Sequence, residues 1–392
     1  MDKQKVLQKK YLIMPDSFKG TMDSIEVCEI MKSAVLEKNP GAEVVTVPVA
    51  DGGEGTVDCF LSAFGGKKKT VTVTGPYGKK VQAAYGITGD TAIIEMAAAS
   101  GFALTDNGMR DPSAATTFGV GELVRDAVES GCRRIILGLG GSCSNDGGAN
   151  PPPGASGGAG MAAALGTVFY DEAGRSFVPA GRNLDRISRI DKTASDRLLG
   201  NVAIEAMCDI DNPLYGPRGA AYVFAPQKGA DEAMVRVLDG NLKKYAETVK
   251  AETGADISEL AGGGAAGGTG AGAYVFLGAR LRQGIDVILD MLGFEKLIKD
   301  CRVIFTGEGS FDSQSLGGKV AVGISRRAMK SGIPVIVVAG SVADNVSGLS
   351  EVGITGVFQT DPGTYDSQSE MFANCRKDLK RTMLEILGKT EF

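Results

Sequence analysis

The 392-residue chain carries 56 glycines and 14 prolines but no histidine and no tryptophan. Without imidazole, Ser-His-Asp and Cys-His nucleophile systems, His-ligated zinc and imidazole proton shuttles are excluded. Lys+Arg 42 against Asp+Glu 47 gives a net charge of −5, which lacks the basic footprint of a nucleic-acid binder.

Acid–base work near neutral pH therefore falls to carboxylates, lysine, tyrosine, cysteine or water. The length favours two or three domains, and a 43% hydrophobic composition supplies a sizeable core. Glycine stands at about twice its usual share while proline is slightly low and charge ordinary, which suits a globular α/β protein with loops of close backbone approach. The seven cysteines, at 28, 59, 132, 143, 208, 301 and 375, form no C-x-x-C pair and suggest a reducing compartment. The polar opening MDKQKVLQKK has no signal-peptide core, and no run reaches the length of a membrane span. The expectation is a cytoplasmic protein with no nucleic-acid or membrane partner; an oligomer is compatible with it.

In chain order, Tyr11–Met14 reads as a strand broken by Pro15-Asp16-Ser17, followed by a helix with apolar residues at Ile25, Ile30, Met31, Ala34 and Val35. Glu43–Val49 is a second strand, leading through Asp51-Gly52-Gly53-Glu54-Gly55-Thr56 into another helix. This strand–loop–helix order implies parallel strands with right-handed crossovers. Lys67-Lys68-Lys69 reads as a solvated loop. Thr70–Thr74, Gln82–Thr88 and Ala92–Met96 alternate apolar with small or polar residues between Gly-containing turns, the pattern of antiparallel hairpins. A helix over Gly121–Ser130, a strand over Arg134–Leu139, a strand over Val202–Met207 and a long amphipathic helix over Asp231–Glu252 follow. Strands at Val303–Thr306, Val335–Ala339 and Gly356–Gln359 alternate with helices, the last spanning Ser369–Leu387. The expected architecture is a parallel-sheet domain of residues 1–66 and 296–392, with a mixed α/β domain, 67–295, inserted into it.

Ligands of open α/β sheets bind at the carboxyl ends of strands. Several strands here end in polar, Gly-bearing loops: 15–20, 51–55, 140–148, 209–212 and 307–312. Glycines let backbone approach oxyanions, helix N-termini favour them, and nearby carboxylates suit Mg²⁺ or hydroxyl activation. Lys19, Lys228 and Lys319 lie in or just after such loops, where each is either a solvated surface group or a counter-charge to phosphate or carboxylate. No G-x-x-x-x-G-K-[ST] occurs, because Gly318-Lys319 is followed by Val320. The run Gly262–Gly272 suits close helix packing, a linker or a phosphate loop. Cys143 has no flanking base to lower its pKa and reads as a small filler residue.

The segments Pro15-Asp16-Ser17-Phe18-Lys19-Gly20, Pro48-Val49-Ala50-Asp51-Gly52-Gly53-Glu54-Gly55-Thr56 and Ile94-Glu95-Met96-Ala97-Ala98-Ala99-Ser100-Gly101 continue with further stretches in fixed order. These are Gly140-Gly141-Ser142…Asn145-Asp146-Gly147-Gly148, Cys208-Asp209…Asn212-Pro213-Leu214, Pro226-Gln227-Lys228-Gly229-Ala230 and Thr306-Gly307-Glu308-Gly309…Asp312. Together they resemble the two-domain bacterial glycerate kinases of glucarate and galactarate catabolism. The resemblance implies phosphorylation of D-glycerate by ATP with Mg²⁺, at the 2-hydroxyl in preference to the 3-hydroxyl. It also implies a Rossmann-like domain with an inserted domain and an active site in the interdomain cleft.

Transferred onto this sequence, the resemblance makes Asp16 or Asp51 the acceptor of the hydroxyl proton, with Lys19 holding substrate and Asp312 in the catalytic group. Ser17, Gly52, Gly53, Glu54, Gly140, Gly141, Ser142, Asn145, Lys228, Glu308 and Lys319 become the substrate- and phosphate-binding set. Asp146 and Asp209 fall near Mg²⁺. Three departures stand out: Asn150–Ala159, with its three consecutive prolines, is inserted after the glycine loop; Gly317 replaces a frequent histidine; and Ala261–Gly268 is a looser form of a Pro-Gly-Ala-rich run. Two alternatives remain: a kinase of another small hydroxy acid, or a non-catalytic acid- or nucleotide-binding protein if the insertion disrupts the site.

Overall fold

A computed structural model describes residues 9–105, 110–147, 160–177, 179–313, 315–317, 320–344 and 346–389. The chain divides into two compact units: 1–51, 58–63 and 283–392 form the first, and 52–57 with 64–282 form the second. The expected edges of the insert lay near 67 and 295. In the structure, residues 283–300 count with the first unit, where the helix Gly284–Leu292 packs on the helix Val320–Met329.

The first unit is built on five parallel strands in the order Ile354–Gln359, Val335–Val342, Cys301–Phe311, Lys10–Ile13, Glu43–Thr46. Leu12 and Ile13 are fully buried, as befits a parallel strand covered on both faces. The helix Ser24–Lys38 starts where Asp23 accepts a hydrogen bond from the Glu26 N–H at 2.8 Å, the usual N-cap arrangement. It buries Val27, Met31 and Val35 in a core shared with Phe305, Val338 and the final helix, Gln368–Lys389. That last helix contributes Leu379, Met383 and Ile386, each stabilising by about 1.5–3 kcal/mol on burial.

The second unit has a six-stranded sheet ordered Arg280–Arg282, Ala203–Met207, Arg134–Gly138, Thr91–Glu95, Lys80–Thr88, Lys67–Thr74. The first four strands run parallel and the last two antiparallel. The expected hairpins are present, but Thr91–Glu95 also pairs in parallel with Arg134–Gly138. Lys67-Lys68-Lys69 corrects the loop reading: it opens the edge strand. Lysines there blunt an otherwise unpaired edge, and Lys69 reaches Asp126 at 2.7 Å. A small sheet of Ser176–Phe177, Val168–Tyr170 and Arg189–Asp191 had no legible strand pattern. The long helix Glu232–Thr253 is capped by Asp231 and closed by Gly254 at φ +76°. Among the described residues no helix is long and apolar enough to cross a membrane.

Candidate active site

In the first unit, adjacent parallel strands deliver the acidic residues. The Met14 and Asp16 N–H groups donate to the Phe305 and Gly307 carbonyls, so the chain leaving Lys10–Ile13 runs beside the carboxyl half of Cys301–Phe311. That sets Asp16 near Glu308. Gly309 lacks a side chain where a Cβ would stand 3.2 Å from the Lys19 nitrogen, which lets residues 18–19 lie across it. Lys19 Nζ donates to Asp51 Oδ2 at 3.0 Å, and the Ser17 N–H donates to Asp16 Oδ1 at 2.6 Å. Asp16, Ser17, Lys19, Asp51 and Glu308 therefore form one cluster.

Its electrostatics act most strongly on Asp16. Burial, then the neighbouring Asp51 carboxylate, push Asp16 up from 3.8 to about 7, against the lowering influence of the Ser17 N–H and Lys19. Asp51 is committed to Lys19, whose own pKa it raises. A carboxyl near 7 is poised to exchange a proton at neutral pH. Asp312 exchanges hydrogen bonds within its own turn: its Oδ1 accepts from the Ser315 N–H at 3.1 Å while its own N–H donates to Ser315 Oγ. This is the reciprocal cap of a short turn.

In the second unit, the loop after Arg134–Gly138 is held from below by glycine-on-glycine packing. The Gly140 N–H donates to the Gly52 carbonyl at 3.0 Å, and a Cβ on Gly138 would stand 2.4 Å from that oxygen. Gly53 lies 2.5 Å from the Cβ position of Gly140. Gly52 and Gly53 thus support Gly138 and Gly140, while Glu54 is exposed. Lys228 is 3% exposed and donates to Ser142 Oγ and to the Ser144 carbonyl, both at 2.7 Å. Burial lowers its pKa to about 8, partly offset by Cys143 and Asp146. Burial raises the Cys143 thiol to about 11, which keeps it protonated and agrees with a filler role. Among the described residues the buried Asn145 amide meets no hydrogen-bond partner at either end, nor does Ser144 Oγ.

The glycine run 262–272 serves this loop by close packing. Ala266, Gly267 and Gly268 are left-handed at φ 54°, 70° and 90°, and a Cβ on Gly267 would lie 2.1 Å from the Ser144 carbonyl oxygen. The Gly147 N–H donates to the Gly267 carbonyl at 3.0 Å. Thr117 is a further member that the sequence reading missed. Its place immediately before the helix Phe118–Glu129 was the available signal. Both its N–H and its hydroxyl donate to Asp146 Oδ2. Asp209 is exposed beyond the strand Ala203–Met207. Lys319 and the insertion Asn150–Ala159 lie outside the described residues.

The comparison with known proteins decides the class. Residues 11–390 match the family described as the glycerate kinase family. The chain belongs to the glycerate kinase family. The "Glycerate 2-kinase" of Escherichia coli (strain K12) is 45% identical over 361 residues, covering 91% of this chain and 92% of that protein. The "Glycerate kinase" of Bacillus subtilis (strain 168) is 40% identical over 390 residues, covering 98% and 99%. A solved Salmonella typhimurium LT2 structure assigned to glycerate kinase 2 superposes with a TM-score of 0.84 at 39% identity, covering 97% of this chain and 98% of that one. This member of the glycerate kinase family is a phosphotransferase with the two-unit α/β architecture that the sequence implied.

Proposed function

We propose that the protein transfers the γ-phosphoryl group of ATP to the 2-hydroxyl of D-glycerate, yielding 2-phosphoglycerate and ADP. The observation that carries the chemical part is Asp16: a carboxyl near neutral pKa, beside a lysine already balanced by a second aspartate. In this reading the Asp16 carboxylate takes the hydroxyl proton as the new O–P bond forms and the bond from phosphorus to the ADP oxygen breaks. Lys19, oriented by Asp51, offsets the charge of the reacting anion. In-line phosphoryl transfer needs mainly positioning and charge neutralisation, which this histidine-free set supplies.

The buried Lys228 ammonium, Ser142 and the Asn145 amide, which meets no partner among the described residues, support a second role, the holding of an oxyanion by the 140–147 loop. Buried polar groups without partners mark places where a ligand or water completes the bonding. Mg²⁺, which the family implies, finds acidic oxygen donors in the first cluster, where Asp16 and Asp51 stand beside Lys19. A magnesium ion that arrives with nucleotide phosphates needs only one or two of them. When bound there it would neutralise charge on the β- and γ-phosphate oxygens.

Coupled ADP release with D-glycerate, L-glycerate, tartronate and hydroxypyruvate tests the substrate, and phosphorus–proton correlated NMR of the product tests the position. D-glycerate turning over best, with phosphate on C2, is expected. Preference for another acid, or phosphate on C3, would overturn the reading.

A further inference from the structure

The family resemblance set Asp146 near a metal, but its surroundings are those of a structural anchor. Asp146 is 0% exposed. Its Oδ2 accepts the Thr117 N–H at 2.9 Å and the Thr117 hydroxyl at 2.9 Å. Thr117 directly precedes the twelve-residue helix Phe118–Glu129 and makes no side-chain cap of its own. The carboxylate thus serves that helix start from outside, where the helix dipole favours negative charge. Thr117 Oγ1 in turn accepts the Met161 N–H at 3.0 Å, at the start of the helix Gly160–Ala164.

One carboxylate oxygen and one hydroxyl therefore join three segments: the 140–147 loop, the helix beginning at Phe118 and the helix beginning at Gly160. Magnesium keeps several waters and requires ligand oxygens open to them. Asp146 Oδ2 is enclosed and already accepts two hydrogen bonds. Among the described residues no group of three or more carboxylate or cysteine side chains is gathered to hold a metal ion.

We propose that Asp146 is a positioning residue that registers the 142–147 loop against the Phe118–Glu129 helix through Thr117, and is not a ligand of the catalytic metal. The proposal rests on the reading that this loop holds an anionic group of the substrates.

The test uses the full chain as Asp146→Asn, Asp146→Ala, Thr117→Val, the Asp146→Ala/Thr117→Val double variant and Ser142→Ala. The readouts are KM for ATP and for glycerate, half-saturation by Mg²⁺, and thermal melting. The Asn side-chain oxygen can accept the same two bonds, so D146N should keep both KM values and the Mg²⁺ half-saturation within about three-fold. D146A and T117V should each raise one KM by about ten-fold, the scale of a lost buried hydrogen bond, without moving Mg²⁺ half-saturation. In melting, their effects should be strongly non-additive in the double variant, as for partners in contact.

A D146N enzyme that melts normally yet needs about ten-fold more Mg²⁺ would overturn the proposal. So would additive melting effects. Should D146A not fold, D146N and T117V still decide between the roles. If S142A leaves both KM values unchanged, the reading of the loop fails. The Asp146–Thr117 link is then judged by the melting cycle alone.

Discussion

Replacing Asp16 by asparagine separates catalysis from stability with opposite signs. The Asn oxygen can still accept the Ser17 N–H, so the loop keeps its hydrogen bond while the ionisable proton acceptor is lost. In the unperturbed enzyme, an Asp16 pKa of about 7 leaves about one carboxyl in ten ionised at pH 6 and nine in ten at pH 8. The kcat/KM for glycerate should then rise about tenfold per pH unit below 7 and level off above it. Asp16→Asn should lose about 10²–10⁴ in kcat and with it this acidic limb. Stability moves the other way. Below the ordinary carboxyl value of 3.8 the side chain is protonated in both folded and unfolded chains, and its ionisation costs nothing. Between 3.8 and about 7 the unfolded chain ionises while the folded one resists. A destabilisation therefore builds with pH, reaching a ceiling of about 4 kcal/mol at about 1.36 kcal/mol per unit. The half-buried carboxyl keeps some contact with water, so about 2 kcal/mol is the working figure. Asp16→Asn should match the parent in urea denaturation at pH 4 and exceed it by about that amount at pH 8. Steady-state kinetics from pH 5.5 to 9 and denaturation at the two pH values provide the assay. A variant with near-parental turnover and an unchanged acidic limb would refute the base assignment. A variant destabilised at pH 8 would refute the electrostatic account of the cluster.

Four further outcomes follow from the same geometry. Asp51→Asn breaks an ion pair whose side chains are 75% and 39% exposed, so denaturation should shift by under about 1 kcal/mol while kcat/KM falls as Lys19 loses its orientation. Lys228→Met should raise KM for the substrate held by the 140–147 loop by about 10–100-fold. In the unmodified enzyme that KM should climb above pH 8 as Lys228 loses its proton, a rise absent from the variant. Gly267→Ala, left-handed and with its Cβ 2.1 Å from the Ser144 carbonyl oxygen, should cost about 3 kcal/mol or more in denaturation. Gly254→Ala, equally left-handed but facing open space, should cost only about 1 kcal/mol.

Much of the first cluster was legible because its members end neighbouring strands. Pro15-Asp16-Ser17 breaks a buried apolar run, Asp51 follows another, and Gly307-Glu308-Gly309 sits in a third. Parallel sheets gather such strand ends on one edge whatever their separation in sequence. For Asp312 the sequence offered an aspartate in a Gly-rich loop; the fold adds that it exchanges hydrogen bonds with Ser315. The lysine triplet misled because charge suggested a loop, although edge strands tolerate it.

The sequence by itself determined what chemistry was open to the protein. The lack of histidine left carboxylates and lysines to move protons and balance charge, and the ordered loop segments pointed to the family. Composition could not tell which aspartate would hold a proton at neutral pH. That depends on burial first and on the charges brought near second, which together hold the Asp16 carboxyl near 7. Nor could a string of residues show that Ala266–Gly268 turns left-handed to seat the Ser144 carbonyl. The bonding of Asp146 to a helix start 29 residues away was equally out of reach. Desolvation, close packing and long-range hydrogen bonds are properties of positions in space, and only the folded chain assigns those positions.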